Sequence, residues 1–274
     1  MMIFFQTNPT TIFVFLISLI LSSHHFSTAL NSEAGGTDAH ETPFSYIEGS
    51  GTGPKEWGQL DPQWKACGNG ARQSPIDIEQ VQVSPNLGEL ERQYNPAPSV
   101  LVNSGHAIAV QWKQDVGKII INGADYKLQQ CHWHSPSEHT INGSRYDLEI
   151  HVVHQSSSGK FAVVGILYKY GCPDPFLAKL YDQVKSIGKG EEKDLGTINP
   201  EDLNFNSKEY YRYDGSLTTP PCTEGVTWTI FKEVKTASKE QVDALKAVVD
   251  EGFQSNARPT QQANGRLDQL YSPI

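Results

Sequence analysis

Six histidines fall between positions 106 and 154: His106, His132, His134, His139, His151 and His154. Three of them are spaced like metal ligands. His132-Trp133-His134 lies in a strand-like run, and side chains alternate across a strand, so His132 and His134 share a face. Glu149-Ile150-His151-Val152-Val153-His154 is a second strand-like run. With Asn142-Gly143 as the tip of a hairpin joining the two, His134 and His151 stand opposite each other. Pro136 interrupts the ladder, so the shared face is a firmer expectation than the register. Three neutral imidazole nitrogens at about 2.0–2.1 Å suit Zn²⁺, and three protein ligands leave a fourth corner for water, as in a catalytic zinc site. His154 and Cys131 have the opposite parity to the ligands and are left out. Gln130 and Glu149 stand two residues before His132 and His151, on the faces where each outer N–H of a bound imidazole needs an acceptor.

A second motif is Ser216-Leu217-Thr218-Thr219-Pro220-Pro221. Paired prolines stiffen a loop, because φ is confined and the preceding residue is steered away from helix. Such a loop can hold a hydroxyl over a metal. Downstream, Val226 and Trp228 share strand parity and can line one wall.

These groups need strands to carry them. β-branched runs cover Val100–Val102, Ala107–Trp112, Lys118–Ile121, Leu128–His134, Leu148–Val153, Phe161–Tyr168 and Val226–Phe231, separated by Asn122-Gly123, Asn142-Gly143 and Ser158-Gly159 turns. Two helices are expected: Pro175 to Ile187, with Phe176, Leu177, Leu180 and Val184 at helical spacing, and Ser238 to Val249, opened by a cap with Gln241 three residues on. There is no fixed-period repeat and no linker that splits the chain. The class is mainly β with short helices, in a single domain.

The chain has 274 residues and a formal charge of −9, a balance that argues against a nucleic-acid partner. With 38% apolar residues it can build a packed core. Residues 1–29 hold no Asp, Glu, Lys or Arg, and the ten residues from Ile12 to Leu21 are apolar apart from Ser18. That is too short to span a bilayer and reads as a signal peptide cleaved near Ala29, although no Lys or Arg precedes it. No later stretch is long and apolar enough to cross, so no membrane partner is expected after removal of the leader. Residues 30–56 are polar and Gly-rich and read as a loose lead-in. Four cysteines allow three full pairings: Cys67 and Cys222 look like loop positions, whereas Cys131 and Cys172 border strands and read as buried thiols. Asn142-Gly143-Ser144 is a glycosylation sequon.

Taken together, Gln130-Cys131-His132-Trp133-His134, Ser137-Glu138-His139-Thr140, the Glu149–His154 run and Gly215 to Pro221 resemble the α-carbonic anhydrase signature. Gly53-Pro54-Lys55-Glu56-Trp57 and Arg72-Gln73-Ser74-Pro75-Ile76-Asp77-Ile78 are similar to its amino-terminal blocks. The likeness is to the secreted plant-type branch and places the domain at 44–274, with 30–43 as flexible lead-in. It implies one domain around a large, twisted, mostly antiparallel sheet. It implies zinc held by His132, His134 and His151, and reversible hydration of CO₂ to bicarbonate and a proton by zinc-bound hydroxide. Thr218 would accept from that hydroxide and donate to Glu138, and Thr219 would lie on the substrate side. His106, in Asn103-Ser104-Gly105-His106-Ala107, would be the proton shuttle, and Tyr46 part of the solvent network. Val153, Val163, Leu217, Val226 and Trp228 would form the apolar wall, and Cys67 would pair with Cys222. Sulfonamide-type inhibitors are expected, as is the secretory pathway or apoplast, with the plastid stroma as alternative. Ser104 and Ala109 stand where other members often carry asparagines. The rival classes are a storage or binding protein of the same fold and a zinc esterase.

Overall fold

The computed structural model describes residues 44–273; the expected leader and the 30–43 lead-in lie outside them. The strands are β1 Asp77–Ile78, β2 Val81–Val83, β3 Glu91–Tyr94, β4 Ala97–Asn103, β5 Ile108–Trp112, β6 Gly117–Ile121, β7 Ala124–His134 and β8 Thr140–Ile141. They continue as β9 Ser144–Arg145, β10 Leu148–Gln155, β11 Phe161–Tyr170, β12 Glu192–Ile198, β13 Tyr210–Ser216, β14 Glu224–Phe231, β15 Lys235–Ala237 and β16 Asp268–Tyr271. Among the described residues, thirteen strands join one sheet, whose main path runs β12-β4-β5-β7-β10-β11-β14-β13-β16-β2. Its ladders are antiparallel except where β11 meets β14 and β15 and where β16 meets β2. β1, β8 and β9 form a separate small sheet.

The sheet has two faces because strand side chains alternate. One face carries Cys131, Trp133, Leu148, Ile150, Val152, Val164 and Ile166, all buried in the larger core cluster. Two helices cover it: α3 Pro175–Ser186 and α4 Lys239–Ala247 (numbered after two short turns of helix, α1 Trp57–Leu60 and α2 Ala66–Asn69). α3 buries Phe176, Leu177, Leu180 and Val184, and Phe176 stacks on Trp133. Its first turn is capped by Asp174, whose side chain accepts from Leu177 N at 2.8 Å. α4 opens with the Ser238–Gln241 capping box. Each side chain sunk into this face contributes about 1.5–3 kcal/mol of apolar burial. The opposite face of the same strands carries the three histidines.

The hairpin register differs from expectation by two residues. At the tip the expected pairing holds, with Thr140 opposite Arg145 and Ile141 opposite Ser144. Between β7 and β10, however, His151 pairs with His132, and Glu149 pairs with His134. The five residues from Ser135 to His139 leave the ladder, where Pro136 has no N–H to offer, and stand against only three, Tyr146 to Leu148; the two extra residues make the slip. A slip of two preserves the face, which is why the convergence survives it.

Two further expectations are corrected. Residues 44–56 are not loose: Phe44 meets Trp57, Trp64, His106 and Phe253 edge-on at centroid distances of 5.0–6.1 Å. Trp57 Nε1 donates to the carbonyls of Ser45 and Thr52. Cys172 is exposed, because it follows the solvent-facing end of β11 at Lys169 and Tyr170, beyond the core; Cys131 is buried as expected.

Cys67, in α2, is bonded to Cys222, in the loop between β13 and β14, across 155 positions of sequence. The link ties the Thr218 loop to the amino-terminal blocks. Closing so long a loop restricts the unfolded chain, so Cys67→Ser with Cys222→Ser should cost about 2–5 kcal/mol. Urea denaturation of the oxidised protein and of the double variant measures this; equal midpoints would contradict it.

Candidate metal centre

His132 and His134 project from β7, and His151 from β10, onto the face away from the helices; none is more than 2% exposed. Their ring centroids lie 4.5–5.3 Å apart. One nitrogen of each ring is taken. His132 Nδ1 donates to Gln130 Oε1 at 2.9 Å, and His134 Nδ1 donates to the Asn256 carbonyl at 2.8 Å. His151 Nε2 donates to Glu149 Oε1 at 2.9 Å. A carbonyl and a carboxylate can only accept, so the proton of each neutral ring sits on the outer nitrogen. The inner nitrogens, His132 Nε2, His134 Nε2 and His151 Nδ1, are left with bare lone pairs.

Two of these lone pairs face each other: His132 Nε2 and His134 Nε2 are 3.1 Å apart with no proton to share. Tetrahedral ligands at 2.0–2.1 Å from zinc are separated by about 3.3 Å. One donor atom from each of the three histidines lies within 4.8 Å of the others. Donor type, number and spacing therefore fit a zinc ion. Burial holds the pKa of His132 well below the usual histidine range, with His134 and His151 adding to the effect. Burial also lowers that of His151, against the opposing pull of Glu149. Both rings are thus in the ligand form at neutral pH.

A second group of possible donors, His139, Glu149 and His151, reads differently. Glu149 Oε2 accepts from the backbone N–H groups of Glu138 and His139, both at 2.8 Å. Its Oε1 accepts from His139 Nδ1 and His151 Nε2. Burial would raise this carboxyl's pKa, but His139 and His151 hold it well below the usual range. With four donors on one carboxylate, no oxygen is left to bind a cation. A β-carbon at Gly165, opposite His151 on β11, would sit 2.9 Å from Glu149 Oε1, so only glycine leaves room for the carboxylate.

Tyr213 Oη donates to His139 Nε2 at 2.7 Å, and Ser74 Oγ donates to Tyr213 Oη at 2.8 Å. Ser74 is bound reciprocally to Ser216, N to Oγ at 2.8 Å and Oγ from N at 3.0 Å. A buried chain of hydrogen bonds thus runs from Glu149 to the start of the Thr218 loop. Arg258 N donates to Glu138 Oε1 at 2.8 Å. Its guanidinium donates to Gln73 Oε1 and to the carbonyls of Ser74 and Cys67, and lies over the Trp57 ring. Burial lowers the Arg258 pKa to about 10, with Glu138 opposing, so it stays cationic at neutral pH.

The hydrogen bond expected from Thr218 to Glu138 is not formed. Thr218 Oγ1 and Glu138 Oε2 are each buried without a partner. Glu138 Oε2 is instead turned toward the inner nitrogens, 3.6 Å from His134 Nε2 and 3.9 Å from His151 Nδ1. Val153, Val163, Leu217, Val226 and Trp228 all belong to one buried apolar cluster on the histidine side of the sheet. Thr219 is buried in the same loop. His106 is half-buried, with its ring stacked on Phe253, and Tyr46 meets the same Phe253 edge-on. Asn142 is exposed at the β8–β9 tip.

Sequence reasoning missed the acceptor of His134, the backbone carbonyl of Asn256, because a carbonyl leaves no signature in residue type. It also gave no role to His139, although that residue sits in a quoted motif, or to Tyr213, Ser74 and Arg258.

A mixed β-sheet with a three-histidine cluster able to hold a metal defines the class. The chain belongs to the eukaryotic-type carbonic anhydrase family, whose model matches residues 52–268. Alpha carbonic anhydrase 4 of Arabidopsis thaliana is 48% identical over 98% of this chain and 99% of its own. A crystal structure of dioscorin complexed with ascorbate superposes with a TM-score of 0.83 at 44% identity, covering 85% of this chain and 99% of that one. The α-carbonic anhydrase of Thermovibrio ammonificans in complex with the inhibitor sulfanilamide gives 0.75 at 36% identity, over 84% and 100%.

Glu149→Gln replaces an oxygen that takes two donors with an NH₂ group facing them. Zinc affinity should fall by about 10–100-fold, as for other partners of metal-bound histidines. Competition against a chromophoric chelator reads it directly, and wild-type affinity would contradict the role.

Proposed function

We propose that the chain is a zinc-dependent carbonic anhydrase that interconverts CO₂ with bicarbonate and a proton. The observation that carries this reading is the pair of bare nitrogens 3.1 Å apart, each with its outer proton engaged by an acceptor. Zinc bound there supplies a Lewis acid that makes a coordinated water nucleophilic near neutral pH, behaviour for which this family is itself the reference case.

The protein's own groups do the rest. His132, His134 and His151 hold the metal, and Gln130, Asn256 and Glu149 hold the rings. Thr218 Oγ1 and Glu138 Oε2 have complementary needs, one with a proton to give and one with a lone pair to fill. A small adjustment that joins them forces Thr218 to accept from the attacking group, which orients its lone pair toward carbon. The wall of Val153, Val163, Leu217, Val226 and Trp228 admits a small apolar substrate and keeps bulk water out. Thr219 and the Thr218 backbone take the substrate side, and sulfonamides compete there. His106 receives the released proton and hands it to buffer, with Tyr46 on the solvent network between.

The same reading makes 1–29 a leader, 30–43 a lead-in and 44–274 the catalytic domain. It also makes Asn142 a glycan acceptor in the secretory pathway, the plastid stroma being the alternative. A storage or binding protein of this fold would lack metal or turnover.

Metal analysis and stopped-flow CO₂ hydration, with and without chelator, test the proposal. His151→Ala should lose both zinc and hydration; stoichiometric zinc in that variant would refute the ligand set. Thr218→Ala should keep zinc and lose turnover by about 10²-fold, the scale of one positioned polar group. Wild-type rates in that variant would remove Thr218 from the mechanism.

A further inference from the structure

His106 lies in the turn between β4 and β5, and three separate segments close on it. Asn103 donates Nδ2 to the Val248 carbonyl (2.7 Å), accepts at Oδ1 from Gly105 N (2.9 Å), and accepts at its carbonyl from Gly190 N (2.8 Å). The Gly105 carbonyl accepts from Asp250 N (2.8 Å), and the Asp250 carbonyl accepts from Phe253 N (3.0 Å). That turn lays the Phe253 ring flat on the His106 imidazole, with centroids 4.2 Å and planes 14° apart; Phe44 meets the imidazole edge-on at 5.0 Å.

The Asp250 carboxylate pairs with Lys189 Nζ at 2.6 Å. Gly105 has φ of +84°, and a β-carbon there would sit 2.8 Å from Asp250 Oδ2 and 3.1 Å from Lys189 Cε. The ion pair therefore rests on the backbone beside His106, and only glycine permits it. The 188–191 turn brings Lys189 and Glu191 to this region, the 250–253 turn brings Asp250 and Glu251, and the amino-terminal segment brings the Tyr46 phenol. Of these, Asp250 and Lys189 act on the imidazole. Burial lowers its pKa, Asp250 raises it and Lys189 lowers it.

We propose that Asp250 is a positioning residue for proton exit: its carboxylate, held over the Gly105–His106 turn and paired with Lys189, keeps the imidazole able both to take the proton up and to release it. The inference rests on the reading of His106 as the shuttle. A half-buried imidazole without an anion nearby is a poor proton acceptor; one beside an unpaired carboxylate holds its proton too long. The proton arrives on an imidazole nitrogen, leaves to a buffer base, and neither Asp250 nor Lys189 changes its charge.

The test is an NMR pH titration of His106 in the zinc-loaded full chain, its signal assigned by loss in His106→Ala. The midpoint should move down in Asp250→Asn and up in Lys189→Met, and return toward the wild-type value in the double variant. A purely structural role would move both singles the same way, and that result, or no movement, overturns the proposal. In dilute buffer, Asp250→Asn should turn over severalfold more slowly with rescue by added imidazole, and the gap should narrow as salt screens the pair. Wild-type turnover of Asp250→Asn in dilute buffer would also overturn it. Undiminished dilute-buffer turnover in His106→Ala is a separate failure, that of the shuttle reading itself.

Discussion

Three nitrogen lone pairs held together in a buried interior are the constraint on which this structure turns. Neutral imidazoles would ordinarily relieve such crowding by turning a ring so that an N–H points at a neighbour's nitrogen. Here that relief is blocked, because the outer nitrogen of each ring is committed to Gln130, Asn256 or Glu149. Two of the three acceptors can never become donors, so the tautomers are set by chemistry and not by chance. The arrangement is favourable only toward a cation, and ring orientation costs nothing at the moment of binding.

The sheet supplies that rigidity by dividing labour between its faces. Trp133, Ile150 and Val164 bury themselves under α3 and α4 on one side, and this anchors the backbone from which His132, His134 and His151 point to the other. Parity does the sorting, and it tolerates the two-residue slip at Pro136. The outer shell then recruits distant sequence. Glu149 reaches Ser216 through His139, Tyr213 and Ser74, and Arg258 joins Glu138 to Cys67 and Gln73. Both amino-terminal blocks quoted from the sequence meet one buried guanidinium, the first through the Trp57 ring and the second through the Gln73 and Ser74 oxygens.

What was legible in the sequence is what local periodicity encodes. The alternation of His132 and His134, the helices opened by Pro175 and by the Ser238 cap, and the Asn142-Gly143 tip all follow from neighbours a few residues apart. The edge strand Glu192–Ile198 escaped, because its charged and glycine residues show no apolar alternation; it is a strand only because β4 offers a ladder. Tyr210–Ser216 escaped likewise, its end having been read as loop. Asn256 was invisible for another reason: its contribution to His134 is a backbone carbonyl, placed by tertiary packing alone.

Buried polar atoms without partners cost about 1–3 kcal/mol each, so folded chains keep few. Among the described residues two such atoms, Glu138 Oε2 and Thr218 Oγ1, belong to the residues read as the site, and Gln130 Nε2 lies on the outer side of His132. Around them Glu149 takes four donors and Ser74 and Ser216 bond reciprocally, although Trp133 Nε1 and Arg258 Nε are also buried without a partner. Glu138 Oε2 lies beside the inner nitrogens, where a bound metal and the Thr218 hydroxyl would complete its contacts. Stability has been given up where binding can return it, which is how a site differs from a defect.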